Sequence, residues 1–158
     1  MNKSALPVDV PVAAAVPVPK AKLPVFTQTP TQLELQSATG GAGSSSNSSV
    51  QVVVLLGNPS KPGPYVELLG VPPHTTIQAH HHAGDRIGTV LKGALHLGFG
   101  PKFDESALVA LPIGSIYTEP SGVAHFAQTG DEAVIVQITG YGPTSYVYEN
   151  PADDPAHK

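Results

Sequence analysis

The sequence of 158 residues contains no cysteine. That absence removes disulfide scaffolds, thiolate metal sites and cysteine nucleophiles together, while leaving the redox compartment open. Charge is also scarce: 13% of residues are charged and the formal net charge is −4. With no basic patch to neutralise a phosphate backbone, no nucleic-acid partner is expected. No apolar run is long enough to span a bilayer as a helix, so no membrane partner is expected either. The N-terminus resembles a secretory leader only faintly, because Asp9 and the prolines at 7, 11, 17 and 19 interrupt any apolar segment. The compartment stays open: cytoplasmic, or periplasmic or secreted if a leader has been removed.

What is present divides the chain into three stretches. Residues 1–24 alternate Pro, Val and Ala and read as an extended, flexible proline-rich arm. Residues 25–49 combine a segment suited to one or two short edge strands with a Gly/Ser-rich loop, SATGGAGSSSNSS. From Val50 to about 155 the texture becomes short β-runs separated by Gly and Pro: VQVVVLLG, YVELLGV, TTIQAHH, RIGTVLKG, ALHLGFG, GSIYTEP, VAHFAQT, AVIVQITGY and SYVYEN. DESALVAL offers one helical turn started by Asp104. Strands this short at this spacing predict an all-β sandwich or barrel.

The densest chemistry lies in the run His80-His81-His82. In an extended strand alternate side chains share a face, so His80 and His82 point together and His81 points away. Two imidazoles on one face suit a single metal ion, and His125 in VAHFA supplies a third if its strand lies alongside. His74 reads as a loop residue, His96 lies opposite the apolar face of Leu95, Leu97 and Phe99, and His157 sits in a polar tail. Tyr117 shares a face with Glu119 and is a candidate pocket wall; Gln137 and Tyr141 are weaker candidates. No Gly-x-Ser-x-Gly elbow, phosphate loop or dinucleotide fingerprint occurs.

These residues resemble the two motifs of the cupin family. The first is glycine, a gap, His-x-His, three or four residues, glutamate, six residues and glycine; the chain matches it at His80, His82 and Gly93, with Arg86 in the glutamate position. The second is matched by Gly114, Pro120, Gly122 and His125, with Thr129 where the family has asparagine. The flanking segments are similar to small single-domain cupins related to the metal-binding domain of a zinc anti-sigma factor. The resemblance implies a jelly-roll barrel, a divalent ion (Zn, Fe, Mn or Ni) on His80, His82 and His125, a small-molecule ligand and a homodimer.

Arg86 departs from that pattern. A guanidinium stays protonated and has no lone pair for a metal. Three outcomes stay open: a three-histidine site, a carboxylate supplied by Glu119 or Asp85 from a new position, or a lost metal with Arg86 holding a small anion instead. The corresponding functions are a metal-dependent oxygenase or isomerase/lyase with Arg86 and Glu119 in catalytic roles, a non-catalytic metal- or ligand-sensing module, and a metal-free anion binder. A barrel retained without chemistry, as in a storage protein, is the remaining possibility.

Overall fold

The computed structural model describes residues 23–33 and 49–154; the rest of the arm, most of the Gly/Ser loop and His157 lie outside them. Ten strands form within this region: β1 (Gln51–Leu56), β2 (Gly63–Val71), β3 (Thr76–His81), β4 (Arg86–Lys92), β5 (Ala94–Phe99), β6 (Val109–Pro112), β7 (Ile116–Glu119), β8 (His125–Thr129), β9 (Val134–Gly142) and β10 (Val147–Tyr148). Each of the nine β-runs legible in the sequence contains one of them. The tenth, β6, follows a short 3₁₀ turn at Glu105–Ala107 in which the Asp104 side chain accepts from the Ser106 amide.

The strands pair antiparallel in two five-stranded sheets, ordered β1-β2-β9-β4-β7 and β10-β3-β8-β5-β6. Their facing sides bury Val52, Val71, Val90, Leu95, Leu97, Val134, Val136 and Ile138. Burying such aliphatic faces is the main stabilising term of a fold of this kind. The architecture is a jelly-roll barrel with the cupin topology, as the sequence implied.

The described part of the second stretch differs from expectation. No strand forms over 23–33; a helical turn occupies 30–33 instead. The cause is local. The Thr29 hydroxyl and amide both donate to the Gln32 side chain, at 3.0 and 2.8 Å. Pro30 follows at the first helical position, so Thr29-Pro30-Thr31-Gln32 is a capping box. Such a box favours a helix start over an extended edge.

Two crossings between the sheets lie at one end of the barrel, 82–85 joining β3 to β4 and 120–124 joining β7 to β8. They are stitched together: the Gly122 amide donates to the His82 carbonyl (2.9 Å), the Ser121 hydroxyl to the Ala83 carbonyl (2.6 Å), and the Ser121 amide to Asp85 Oδ1 (2.8 Å). Gly122 has φ +71°, a conformation that costs glycine little and L side chains more. This end of the barrel carries the histidines.

Candidate metal centre

The site depends on an irregularity in β3. Ile77 pairs with Ala127 and His80 with His125, so three steps along β3 match two along β8. The extra residue is a β-bulge at Gln78–Ala79. In an unbroken strand the inward-facing Ile77 would send Ala79 and His81 inward with it. The bulge resets the alternation, so that His80 and His82 are buried and His81 is turned out, where its Nδ1 meets Glu149 at 2.6 Å. Strand alternation predicts that the two histidines share a face; only the pairing register reveals that the face is interior.

His80, His82 and His125 each present a ring nitrogen, and these atoms lie within 4.8 Å of one another. The opposite nitrogen of each ring is committed. His80 Nδ1 contacts the Gln78 carbonyl at 2.7 Å, His82 Nδ1 the Ser145 carbonyl at 2.7 Å, and His125 Nδ1 the Val123 carbonyl at 3.1 Å. A carbonyl only accepts, so every Nδ1 carries the proton and donates it. In a neutral ring that leaves Nε2 as a bare lone pair. Burial holds His80 well below its ordinary value, and burial first, Arg86 second, hold His82 down at about 3. Both rings are therefore neutral at physiological pH.

Glu119 completes the cluster. Its Oε2 lies 3.5 Å from His82 Nε2 and its Oε1 3.5 Å from His125 Nε2. Burial, the largest single influence, would push this carboxyl up, but Arg86 and the neighbouring histidines together outweigh it and hold it below its ordinary value. Arg86 Nε donates to Glu119 Oε2 at 2.6 Å, and Arg86 Nη1 lies 3.6 Å from Glu67 Oε1. Arg86 and Glu119 are opposite one another in the β4–β7 register, which is why their side chains meet on the same inward face.

The remaining sequence candidates fall as follows. Asp85 is exposed and accepts from Ser121, so it fastens the two crossings and does not reach the histidines. His74 sits exposed in a turn with φ +53°, and His96 lies on the outer side of β5. Tyr117 lines the barrel cavity, its ring lying over Gly88, where an added Cβ would fall 2.2 Å from the Tyr117 Cζ. Gln137 and Tyr141 do not line that cavity.

Two contributors escaped the sequence reading. Tyr146 stacks on the His80 ring at 4.1 Å and 12°, next to the Ser145 carbonyl that anchors His82. Nothing in SYVYEN marks this, because it arises from β10 folding back over β3. Glu67 is fully buried in β2 on the face that also carries Tyr65 and Val71, but YVELLGV is apolar on both faces, so nothing in the sequence marked it.

Comparison with known proteins supports the fold. Neither a protein-family model nor a curated protein matches the chain. Among solved structures, the polyketide cyclase RemF from Streptomyces resistomycificus aligns with a TM-score of 0.57 and 18% identity, covering 68% of this chain and 75% of its own. The DMSP lyase DddQ from Ruegeria pomeroyi aligns at 0.52 and 15%, covering 78% of this chain and 57% of its own. An RmlC-like cupin from Shewanella frigidimarina aligns at 0.51 and 13%, covering 66% and 83%. Topology and these likenesses agree: the chain has the cupin fold, and three buried histidines in its barrel are close enough to hold a metal ion. The likenesses carry no activity over, because one barrel hosts many chemistries.

Proposed function

We propose that this cupin binds one divalent metal ion through His80, His82, His125 and Glu119 and presents it to a small molecule in the barrel. The observation that supports this most is a cluster of acceptors with nothing to accept from. The Nε2 atoms of His82 and His125 are buried without a hydrogen-bond partner, and each faces a Glu119 oxygen at 3.5 Å. Lone pairs opposing lone pairs in a dry interior are costly, and a cation among them removes the cost. Three imidazoles and a carboxylate suit Zn, Fe or Ni, with Mn also compatible.

Each residue then has a task. The carbonyls of Gln78, Ser145 and Val123 orient the rings, as acceptors behind metal-bound histidines commonly do. Arg86 keeps Glu119 ionised and aimed, as a positioning residue. A bound divalent ion supplies Lewis-acid polarisation of whatever occupies its open position. An isomerase/lyase or an oxygenase is compatible with that arrangement, and so is a module that senses its ligand without turning it over. The anion-binder alternative is disfavoured, because Arg86 already lies between two carboxylates.

Elemental analysis of protein purified without an affinity tag tests the reading. About one equivalent of a single divalent metal is expected, falling at least about tenfold in His125→Ala. Sub-stoichiometric metal that His125→Ala leaves unchanged would sink it.

A further inference from the structure

The cavity beside the histidines has a strongly polarised lining. His80, His125, Glu119, Arg86, Tyr117 and Tyr146 form one part of its wall, and all of its other lining residues are aliphatic. Thr129, in the place where the cupin motif has asparagine, donates its hydroxyl to the Pro72 carbonyl at 2.6 Å and accepts from the Thr75 amide at 2.9 Å. Arg86, the one cationic side chain in the lining, is neutralised by Glu119 and Glu67. A polar group placed against the aliphatic part of the wall would meet no partner there, at a cost of about tenfold or more in affinity per buried unpaired group.

The volume sets the size. The cavity encloses about 40 Å³. A water needs roughly 10–15 Å³ on this measure, so the space corresponds to about three to four non-hydrogen atoms.

We infer that the site is built for a short aliphatic molecule of about three carbons with a single metal-binding head atom, its hydrocarbon end seated among Leu69, Val71, Ile77, Leu95, Leu97 and Ala127. The Tyr146 hydroxyl, buried without a hydrogen-bond partner, lies on the polar part of the wall, so the polar groups of a ligand belong at that end. The inference rests on the metal reading above, since the head group needs an ion to bind.

The test is a cobalt(II) titration read by visible absorption, followed by a series of n-alkyl thiols. The chain has no cysteine, so thiols find no covalent target in it. Affinity, read from the thiolate-to-cobalt band, is expected to rise about fourfold per methylene through propane-1-thiol and to have fallen by hexane-1-thiol. Propane-1-thiol is expected to bind at least about tenfold tighter than 2-mercaptoethanol, which has the same shape with a hydroxyl in place of the methyl. Cobalt-loaded protein with a flat series, or with equal or tighter binding of 2-mercaptoethanol, overturns this inference alone. Protein that takes up no cobalt overturns the metal reading and this inference with it.

Discussion

Glu119 and Arg86 face each other across β7 and β4, pointing the same way into the barrel. The first cupin motif has its acid at the Arg86 position, whereas in this chain a buried carboxylate stands one strand over, at the cross-strand partner. Exchanging the pair tests whether position or composition matters. Arg86→Glu alone places three carboxylates together without a counter-charge, and a loss of roughly 3–5 kcal/mol is expected on urea unfolding. Arg86→Glu combined with Glu119→Arg is expected to recover most of that loss and to restore calorimetric zinc binding that Glu119→Gln weakens at least about tenfold. A double variant as poor as Arg86→Glu alone would show that the two positions are not equivalent. At this scale much was legible: His-x-His and a distant histidine named the three rings that the fold gathers, and of the two acids considered Glu119 is the one that lies beside them. Tyr146 was not legible, because its contact with His80 depends on a strand pairing that no local pattern encodes.

At the level of elements, β4 and β7 are fitted by a glycine under an aromatic ring. Gly88 and Tyr117 are register partners, and the ring occupies the space a side chain at 88 would need. Gly88→Ala should destabilise the protein by about 1–3 kcal/mol through overpacking. Adding Tyr117→Ala removes the clash, so the double variant should cost less than the sum of the singles. Strict additivity on urea denaturation would deny the contact its role. The strands themselves were readable from alternation and turn residues. The failure at 23–33 is instructive, because the Thr29–Gln32 capping box was present in the sequence and outweighed the expectation of an edge strand. Asp85 failed as a candidate donor for a similar reason: a nearby amide, Ser121, claims its carboxylate first.

For the whole molecule the buried histidines tie stability to pH. The unfolded chain binds a proton at each imidazole near the ordinary value of about 6.5. The folded protein refuses it at His82 until about 3, and at His80 until well below the ordinary value. The unfolded state thus binds more protons throughout that interval, and stability rises with pH across it. Metal-free protein should hold its full stability above roughly pH 6.5 and lose it progressively as pH falls toward 3. Glu119 acts in the same direction, its contribution present above the ordinary carboxylate range and lost as pH falls through its lowered folded value. Urea midpoints in the presence of a chelator, taken from pH 7.5 down to 4, check this; a flat profile would contradict the neutral, buried assignment. Saturating zinc at a hundred times its Kd should add about 2.7 kcal/mol at neutral pH. The sequence foretold the barrel, but not this pH dependence, which comes from carbonyls and burial that only assembly creates.

The bulge at Gln78–Ala79 makes donor placement a matter of parity. Had the same residues alternated regularly from Ile77, inside and outside would be exchanged for everything beyond it. Here one surplus residue converts an arrangement with a single inward histidine, His81, into one with two. Removing Gln78 would separate the two services the bulge performs. The shortened strand would run regularly and still send His80 and His82 inward, but without the carbonyl that fixes the His80 ring. Whether the surplus residue is taken up as a bulge or by regular pairing therefore decides which histidines face the barrel, while every histidine in the chain is left unchanged.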